Sequence, residues 1–224
     1  MNNFEIEIKT LLGAKDKADA LIERMKQKDP NLKIFGQHKQ LNHYFEGGDL
    51  RLLAKNLKGH IAPDKQSELE ALIPKVKDYS LRSREADGQV IFVMKLAVDE
   101  TSSSNGTARL ELESPVALSL DQLDKIFLDS GFEYLSKWSR DRQEFKYKDY
   151  NVTVDRNAGY GYLAEFESIL EDSSNAESAK NDLRQAMAEL GVEELNQDRL
   201  ARMFEHYNTH WPEYYGTDKV FNIE

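Results

Sequence analysis

The opening stretch Glu5-Ile6-Glu7-Ile8-Lys9 alternates charged and apolar residues with a period of two. In a β-strand, successive side chains point to opposite faces, so Glu5, Glu7 and Lys9 share one face and Phe4, Ile6 and Ile8 the other. Like-facing charged pairs recur along the chain as Arg82/Arg84, Glu111/Glu113, Arg140/Arg142 and Glu165/Glu167. Lys9 and Arg109 extend two of these rows, and Lys95 and Asp155 stand on further strands. Two architectures satisfy the pattern. One is an open antiparallel sheet with its charged face in water and its apolar face on helices. The other is a barrel with the charges inside and helices packed on its apolar outside. Up-and-down barrels of about eight strands enclose one small ligand. The barrel accounts better for arginines and carboxylates recurring in pairs. Arginine meets phosphate oxygens with a forked donor geometry, and lysine meets them as a point charge. Neighbouring carboxylates repel unless a cation lies among them, and hard divalent cations take oxygen ligands. A lumen with both rows suits a metal–polyphosphate complex. On this reading Glu5, Glu7, Glu111, Glu113, Asp155, Glu165 and Glu167 are candidate metal ligands. Lys9, Arg82, Arg84, Lys95, Arg109, Arg140 and Arg142 are candidate phosphate-binding residues.

Composition narrows the alternatives. The chain has 224 residues, 40% hydrophobic and 31% charged, which suits a soluble globular fold of one large domain or two small ones. Its formal net charge of -10 argues against general nucleic-acid binding. It does not exclude an anionic ligand, because local charge placement governs binding in a cleft. With no cysteine, disulfides and thiolate metal sites are ruled out. The acidic, alternating N-terminus does not read as a signal peptide, and no run approaches the ~20 apolar residues of a membrane span. A cytoplasmic location is the expectation.

In chain order, the spacing of Ala18, Leu21, Ile22 and Met25 predicts a helix over 14–28, ended by Asp29-Pro30. Residues 31–46 read as extended, and Gly47-Gly48 as a turn. Residues 49–78 read as a helical insertion between strands. Asp87-Gly88 marks a hairpin between strands 79–85 and 90–98. The polar run 99–107 reads as a loop. A strand at 109–113 leads through Pro115 to a helix near 120–130. Strands 137–147, 150–155 and 162–169 follow, with Asn157-Ala158-Gly159-Tyr160-Gly161 as a turn. The chain closes with helices near 176–190 and from Gln197 to about Tyr207, the latter followed by Trp211-Pro212. His206 and His210 have an i, i+4 ligand spacing, but without a glutamate after His206 they are expected to be structural.

Glu5-x-Glu7-x-Lys9 resembles the signature of the CYTH family, the triphosphate tunnel metalloenzymes, named for class IV adenylyl cyclase and thiamine triphosphatase. The resemblance continues in order through Gln40-Leu-Asn-His-Tyr44-Phe45-Glu46, Leu81-Arg82-Ser-Arg84, Lys95, Glu111-x-Glu113, Arg140-x-Arg142, Asp155, Gly159-x-Gly161 and Glu165-x-Glu167. It spans about residues 4–210. It implies an α+β chain: an eight-stranded antiparallel tunnel with a charged interior and helices outside, as one domain over 1–224 with the insertion at about 49–78. It also implies Mg²⁺ or Mn²⁺ on the glutamates and a triphosphate on the lysines and arginines. Lys9 and Tyr44 would serve as a general-base pair. Two departures stand out: the long insertion, and Glu46 where an aspartate is usual. The expected activity is metal-dependent hydrolysis of tripolyphosphate, thiamine triphosphate or a nucleoside triphosphate. Cyclisation of ATP is the alternative, and a non-catalytic polyphosphate-binding module a third reading. The expected partner is a small-molecule triphosphate, with neither nucleic acid nor membrane; a homodimer is compatible with this.

Overall fold

The structure is a computed structural model that describes residues 4–76, 78–97, 109–170 and 173–224. The side chains of Ala97, Arg109 and Ser173 and the polar run 99–107 lie outside the described part. The strands are β1 (Phe4–Gly13), β2 (Lys33–Gly47), β3 (Tyr79–Ala86), β4 (Gln89–Ala97), β5 (Arg109–Val116), β6 (Phe132–Tyr147), β7 (Tyr150–Asn157) and β8 (Gly161–Leu170). They close into an antiparallel barrel in the order β1-β5-β4-β3-β2-β6-β7-β8. The helices are α1 (Lys15–Lys28), α2 (Leu50–Leu57), α3 (Pro63–Leu72), α4 (Leu120–Asp129), α5 (Ala176–Glu189) and α6 (Gln197–Tyr214). The eight-stranded antiparallel barrel that the family resemblance implies is therefore the fold, and of the two architectures that satisfy the charge alternation it is the closed one.

The pleat explains where the core sits. Ile6 and Ile8 of β1 point outward and pack with Leu21 and Met25 of α1 and Leu183 and Met187 of α5, all fully or almost fully buried. On the other side, Leu81, Phe92, Met94 and Leu112 of β3, β4 and β5 pack with Leu53 and Leu57 of α2, Leu69 of α3 and Leu123 and Phe127 of α4. Each such side chain stabilises the fold by about 1.5–3 kcal/mol. The apolar surface lies outside the barrel wall, which leaves the lumen free to be polar. Local signals fix the connections. Asp87 and Gly88 both have positive φ (51° and 81°), as a tight hairpin turn requires. Ser119 and Gln122 form a capping box at α4, Asp49 caps α2 and Asn196 caps α6. A buried polar knot outside the barrel joins four elements, α4, β3, β6 and β2: Asp124 of α4 accepts from Ser83 and Tyr134, and bonds His43 Nδ1 at 2.6 Å. His43 Nε2 in turn meets Tyr215 at 2.9 Å.

Three boundaries differ from expectation. β5 continues through Pro115 to Val116, paired with β4. Among the described residues its other edge pairs with β1 at Arg109 and Leu110, away from Pro115, so the missing amide of Pro115 interrupts no described ladder there. β6 begins at Phe132, directly after the helix-ending Gly131, because that early segment is paired with the end of β2. α6 runs on through Pro212 to Tyr214. Proline removes one helical bond, to the Asn208 carbonyl. The extension is held by Tyr214 against Phe221 at 5.4 Å and by His206 stacked on His210 at 4.4 Å. The two histidines thus serve packing.

Candidate active site

Pairing register sets the lumen. Tyr44 lies opposite Arg82 and Asn42 opposite Arg84 across β2 and β3. Gln40 is opposite Arg140 across β2 and β6, and Arg142 opposite Asp155 across β6 and β7. Lys95 faces Glu111 across β4 and β5. Lys9 faces Glu165, and Glu7 faces Glu167, across β1 and β8. These side chains, Gln40 apart, line one cavity of about 420 Å³. Glu5 joins it through Lys95, whose Nζ donates to Glu5 at 3.0 Å. Arg109 occupies its expected place in β5, opposite Glu5, with its side chain outside the described part.

The charges are segregated. Arginines come from β3 and β6, and most carboxylates from β1, β5 and β8. Arg82 donates to the Tyr44 hydroxyl at 2.6 Å and to Glu111 at 3.3 Å. Arg84 donates to Asn42 at 3.0 Å and Glu113 at 2.8 Å. Arg140 donates to Gln40 at 2.8 Å and Asp155 at 3.0 Å. Arg142 grips both oxygens of Asp155 at 2.8 and 2.7 Å and also reaches Glu165 at 2.8 Å. Lys9 donates to Glu7 at 2.7 Å and stands 3.3 Å from Glu165.

Burial and neighbours tune these groups. Burial pushes the Tyr44 phenol up, but Arg82 and Arg140 outweigh it, so its pKa falls below the usual range. Burial would lower Lys9, yet Glu165 and Glu7 reverse this and hold it above its ordinary value. Of the expected base pair, the tyrosine is therefore tuned toward giving up its proton and the lysine toward keeping it. Burial drives Arg84 down to about 10, reinforced by Arg82, and it stays cationic at neutral pH.

The residues suit a hard cation. Burial raises Glu5 to about 8, despite Lys95 and with help from Glu111 and Glu167. Glu111, in spite of its own burial, is drawn down to about 2 by Lys95 and Arg82. The two carboxylates share Lys95, at 3.0 and 3.2 Å, and the mutual repulsion that raises Glu5 is what a bound cation would relieve. Glu7 and Glu167 face each other directly, a like-charge pairing that costs stability without a counter-ion. Among the described residues no three acids or histidines already converge on one point. Lys9 and Lys95 lie between the carboxylates instead. All donors are carboxylate oxygens, the chemistry preferred by Mg²⁺, Mn²⁺ and Ca²⁺.

The shift of Glu5 has a consequence for the metal-free protein. Its folded pKa lies above the unfolded value, so the native state binds the extra proton. Stability therefore declines as pH rises from about 4.5 to about 8. Glu5→Gln should match wild type near pH 5 in chelator and exceed it at pH 8–9 by on the order of 2 kcal/mol. Urea unfolding at both pH values checks this. A pH-independent difference between the two proteins would remove the assignment.

Several lumen residues carried no sequence signal of their own. Gln40 and Asn42 lay in a noted motif, but only the register reveals them as partners of Arg140 and Arg84. Trp138, Tyr160, Leu163, Phe204 and Asn208 also line the cavity. Trp138 and Leu163 could have been found by extending the rows of Arg140 and Glu165 by two residues. Phe204 and Asn208 come from α6 and are visible only in the fold.

The CYTH domain profile matches residues 72–201, more than half of the chain. The chain belongs to the CYTH family, whose members mostly act on triphosphates and typically use divalent cations. No curated protein matches it. Solved structures with this fold include the PH1012 protein of Pyrococcus horikoshii, at 18% identity and TM-score 0.60, covering 86% of this chain and 96% of that one. A conserved hypothetical protein of Pyrococcus furiosus has 19% identity and TM-score 0.60, covering 87% and 98%. A Vibrio parahaemolyticus protein described as a candidate adenylate cyclase has 15% identity and TM-score 0.57, covering 86% and 91%. At these identities the likeness concerns the fold. No described helix is long and apolar enough to cross a membrane.

Proposed function

We propose that the protein hydrolyses a phosphoanhydride bond of a triphosphate-containing substrate held in the barrel lumen, with Mg²⁺ or Mn²⁺ as cofactor. The observation that carries this reading is one cavity with arginines on one wall and carboxylates on the other. Glu5, Glu7, Glu111, Glu113, Glu165 and Glu167 would hold the cation. Bound there, a divalent cation neutralises phosphate oxygens and so makes the phosphorus open to attack. Arg82, Arg84, Lys95, Arg140 and Arg142 orient the phosphate chain and stabilise charge on the leaving phosphate. Lys9, with its proton held by Glu7 and Glu165, acts as a further phosphate contact. Tyr44, whose pKa is lowered beside Arg82, is the group that as a phenolate would accept the proton of the attacking water. Asp155, with both oxygens bonded to arginines, orients Arg140 and Arg142 in preference to holding a cation. Residues 1–224 work as one tunnel domain in this reading, with α2 and α3 in the insertion at about 49–78.

A second reading, cyclisation of ATP, draws on the apolar end of the cavity formed by Trp138, Leu163 and Phe204, which could seat a nucleoside. One assay separates them. Purified protein is given tripolyphosphate, ATP and thiamine triphosphate separately, with Mg²⁺ or Mn²⁺. Orthophosphate from at least one of them, with no cyclic AMP from ATP, is the expected result. Cyclic AMP and pyrophosphate from ATP, with tripolyphosphate untouched, would replace hydrolysis by cyclisation.

A further inference from the structure

Asp124 is a carboxylate in apolar surroundings. It is 1% exposed, on the same helix as the core residues Leu123 and Phe127, where α4 packs on the outside of β3 and β6. Burying a charge there costs stability unless donors meet it, and well-packed apolar residues often replace such groups at no loss. Three donors do meet it, one from each of three strands. Oδ1 accepts from Ser83 of β3, and Oδ2 from Tyr134 of β6 at 2.8 Å, with His43 Nδ1 of β2 at 2.6 Å from Oδ2. Burial pushes the Asp124 carboxyl up, but the bonds from His43, Ser83 and Tyr134 outweigh it and hold it below the usual range. An ionised carboxylate only accepts, so His43 Nδ1 carries the proton and Nε2 accepts from the Tyr215 hydroxyl at 2.9 Å.

The three strands are consecutive around the barrel, in the order β3-β2-β6. His43 and Ser83 stand opposite each other and face outward. The pairs on either side of them face inward, and these are Tyr44 with Arg82 and Asn42 with Arg84. Asp124 thus grips from outside the rungs that carry two lumen arginines inside. The third strand is irregular at the same level. Tyr44 is opposite Ser136 and Phe45 opposite Tyr134, which leaves Leu135 as an extra residue on β6. A bulge bends its strand and re-aims the neighbouring side chains, and Leu135 and Ser136 line the cavity. The Tyr134 bond to Asp124 pins β6 just beyond that bulge. We propose that Asp124 is a positioning residue: through Ser83, His43 and Tyr134 it fixes β3, β2 and β6 so that Arg82, Arg84 and Tyr44 keep their working spacing in the lumen. This rests on the reading of the charged lumen as a triphosphate site. Apolar packing alone would hold α4 on the barrel; it would not tie three strands to one point. A displacement of about 1 Å at groups that orient a substrate costs on the order of a hundred-fold in rate.

The test is a double-mutant cycle between Asp124→Ala and Arg82→Ala. It follows turnover of tripolyphosphate, ATP or thiamine triphosphate with Mg²⁺, expressed per mole of folded protein. In the otherwise wild-type chain, Asp124→Ala should lower kcat/KM about thirty-fold. In the Arg82→Ala background the same change should cost about five-fold or less, because the arginine it positions is already gone. The melting temperature should fall by the same amount in both backgrounds, which separates loss of fold from loss of positioning. Ser83→Ala, which frees β3 alone from the knot, should lower kcat/KM about five-fold in the wild-type chain and less than about two-fold with Arg82→Ala. It decides the question if Asp124→Ala does not fold. Wild-type kcat/KM in the variants, or an equal loss in both backgrounds, would overturn the positioning role while leaving the triphosphate site standing. No turnover of any of the three substrates by the wild-type chain would overturn the triphosphate reading and the positioning role with it.

Discussion

Under the proposed function, Glu7→Gln should lower turnover of the triphosphate substrate on the order of a thousand-fold, equivalent to about 4 kcal/mol of transition-state stabilisation. Glu7 is the most informative carboxylate to neutralise. Burial pushes its pKa up, but Lys9 and Lys95 outweigh this and hold it below the ordinary value, which favours its carboxylate form. It lies opposite Glu167 and 2.7 Å from Lys9. The amide keeps the shape and removes the charge that a divalent cation requires. The fold should survive, because losing the Lys9 contact is offset by losing the repulsion with Glu167, and Lys9 keeps Glu165 at 3.3 Å. Wild-type turnover should vanish in excess chelator and return with Mg²⁺ or Mn²⁺. Full activity in chelator, or an unimpaired Glu7→Gln, would remove the cation from the mechanism.

The reason the two faces of each strand were legible is physical, whereas closure into a barrel was implied by the family resemblance. A lumen-facing strand must alternate, and here charge marks the inner face as clearly as Ile6, Ile8 and Phe166 mark the outer one. Glu5, Glu7, Lys9, Arg82, Arg84, Lys95, Glu111, Glu113, Arg140, Arg142, Asp155, Glu165 and Glu167 all meet in one network for that reason. Alternation says which face a residue shares, not which residue stands across from it. The division of work inside the network was therefore illegible. Whether Asp155 meets a cation or an arginine depends on the register of β6 with β7. Whether Lys9 gains or loses basicity depends on Glu165, far away in sequence and opposite it in space. The aromatic end was hidden for another reason. Phe204 and Asn208 sit on a helix whose periodicity reads as ordinary packing, and Trp211-Pro212 suggested a helix end that tertiary contacts override.

Arg142→Ala should lower kcat/KM by two orders of magnitude or more and also destabilise the protein. Arg142 grips Asp155 with Nε and Nη2 and touches Glu165, and Asp155 has no exposed surface. Removing the guanidinium deletes a charge-assisted phosphate contact, roughly 1.5–3 kcal/mol. It also frees Asp155 to draw Arg140 away from the substrate, since Arg140 already reaches the same carboxylate at 3.0 Å. The stability loss has a separate origin. Breaking a buried pair from one side leaves an uncompensated charge, at a cost of about 3–5 kcal/mol. A companion variant separates the two effects. Arg142→Ala combined with Asp155→Asn removes both charges, so urea unfolding should show much of the stability restored, while kcat/KM stays at least a hundred-fold below wild type. If the double variant recovered activity along with stability, Arg142 would be a structural counter-ion for Asp155 and not a phosphate contact. If Arg142→Ala alone kept wild-type kcat/KM, the arginine wall would lie outside the path of the substrate.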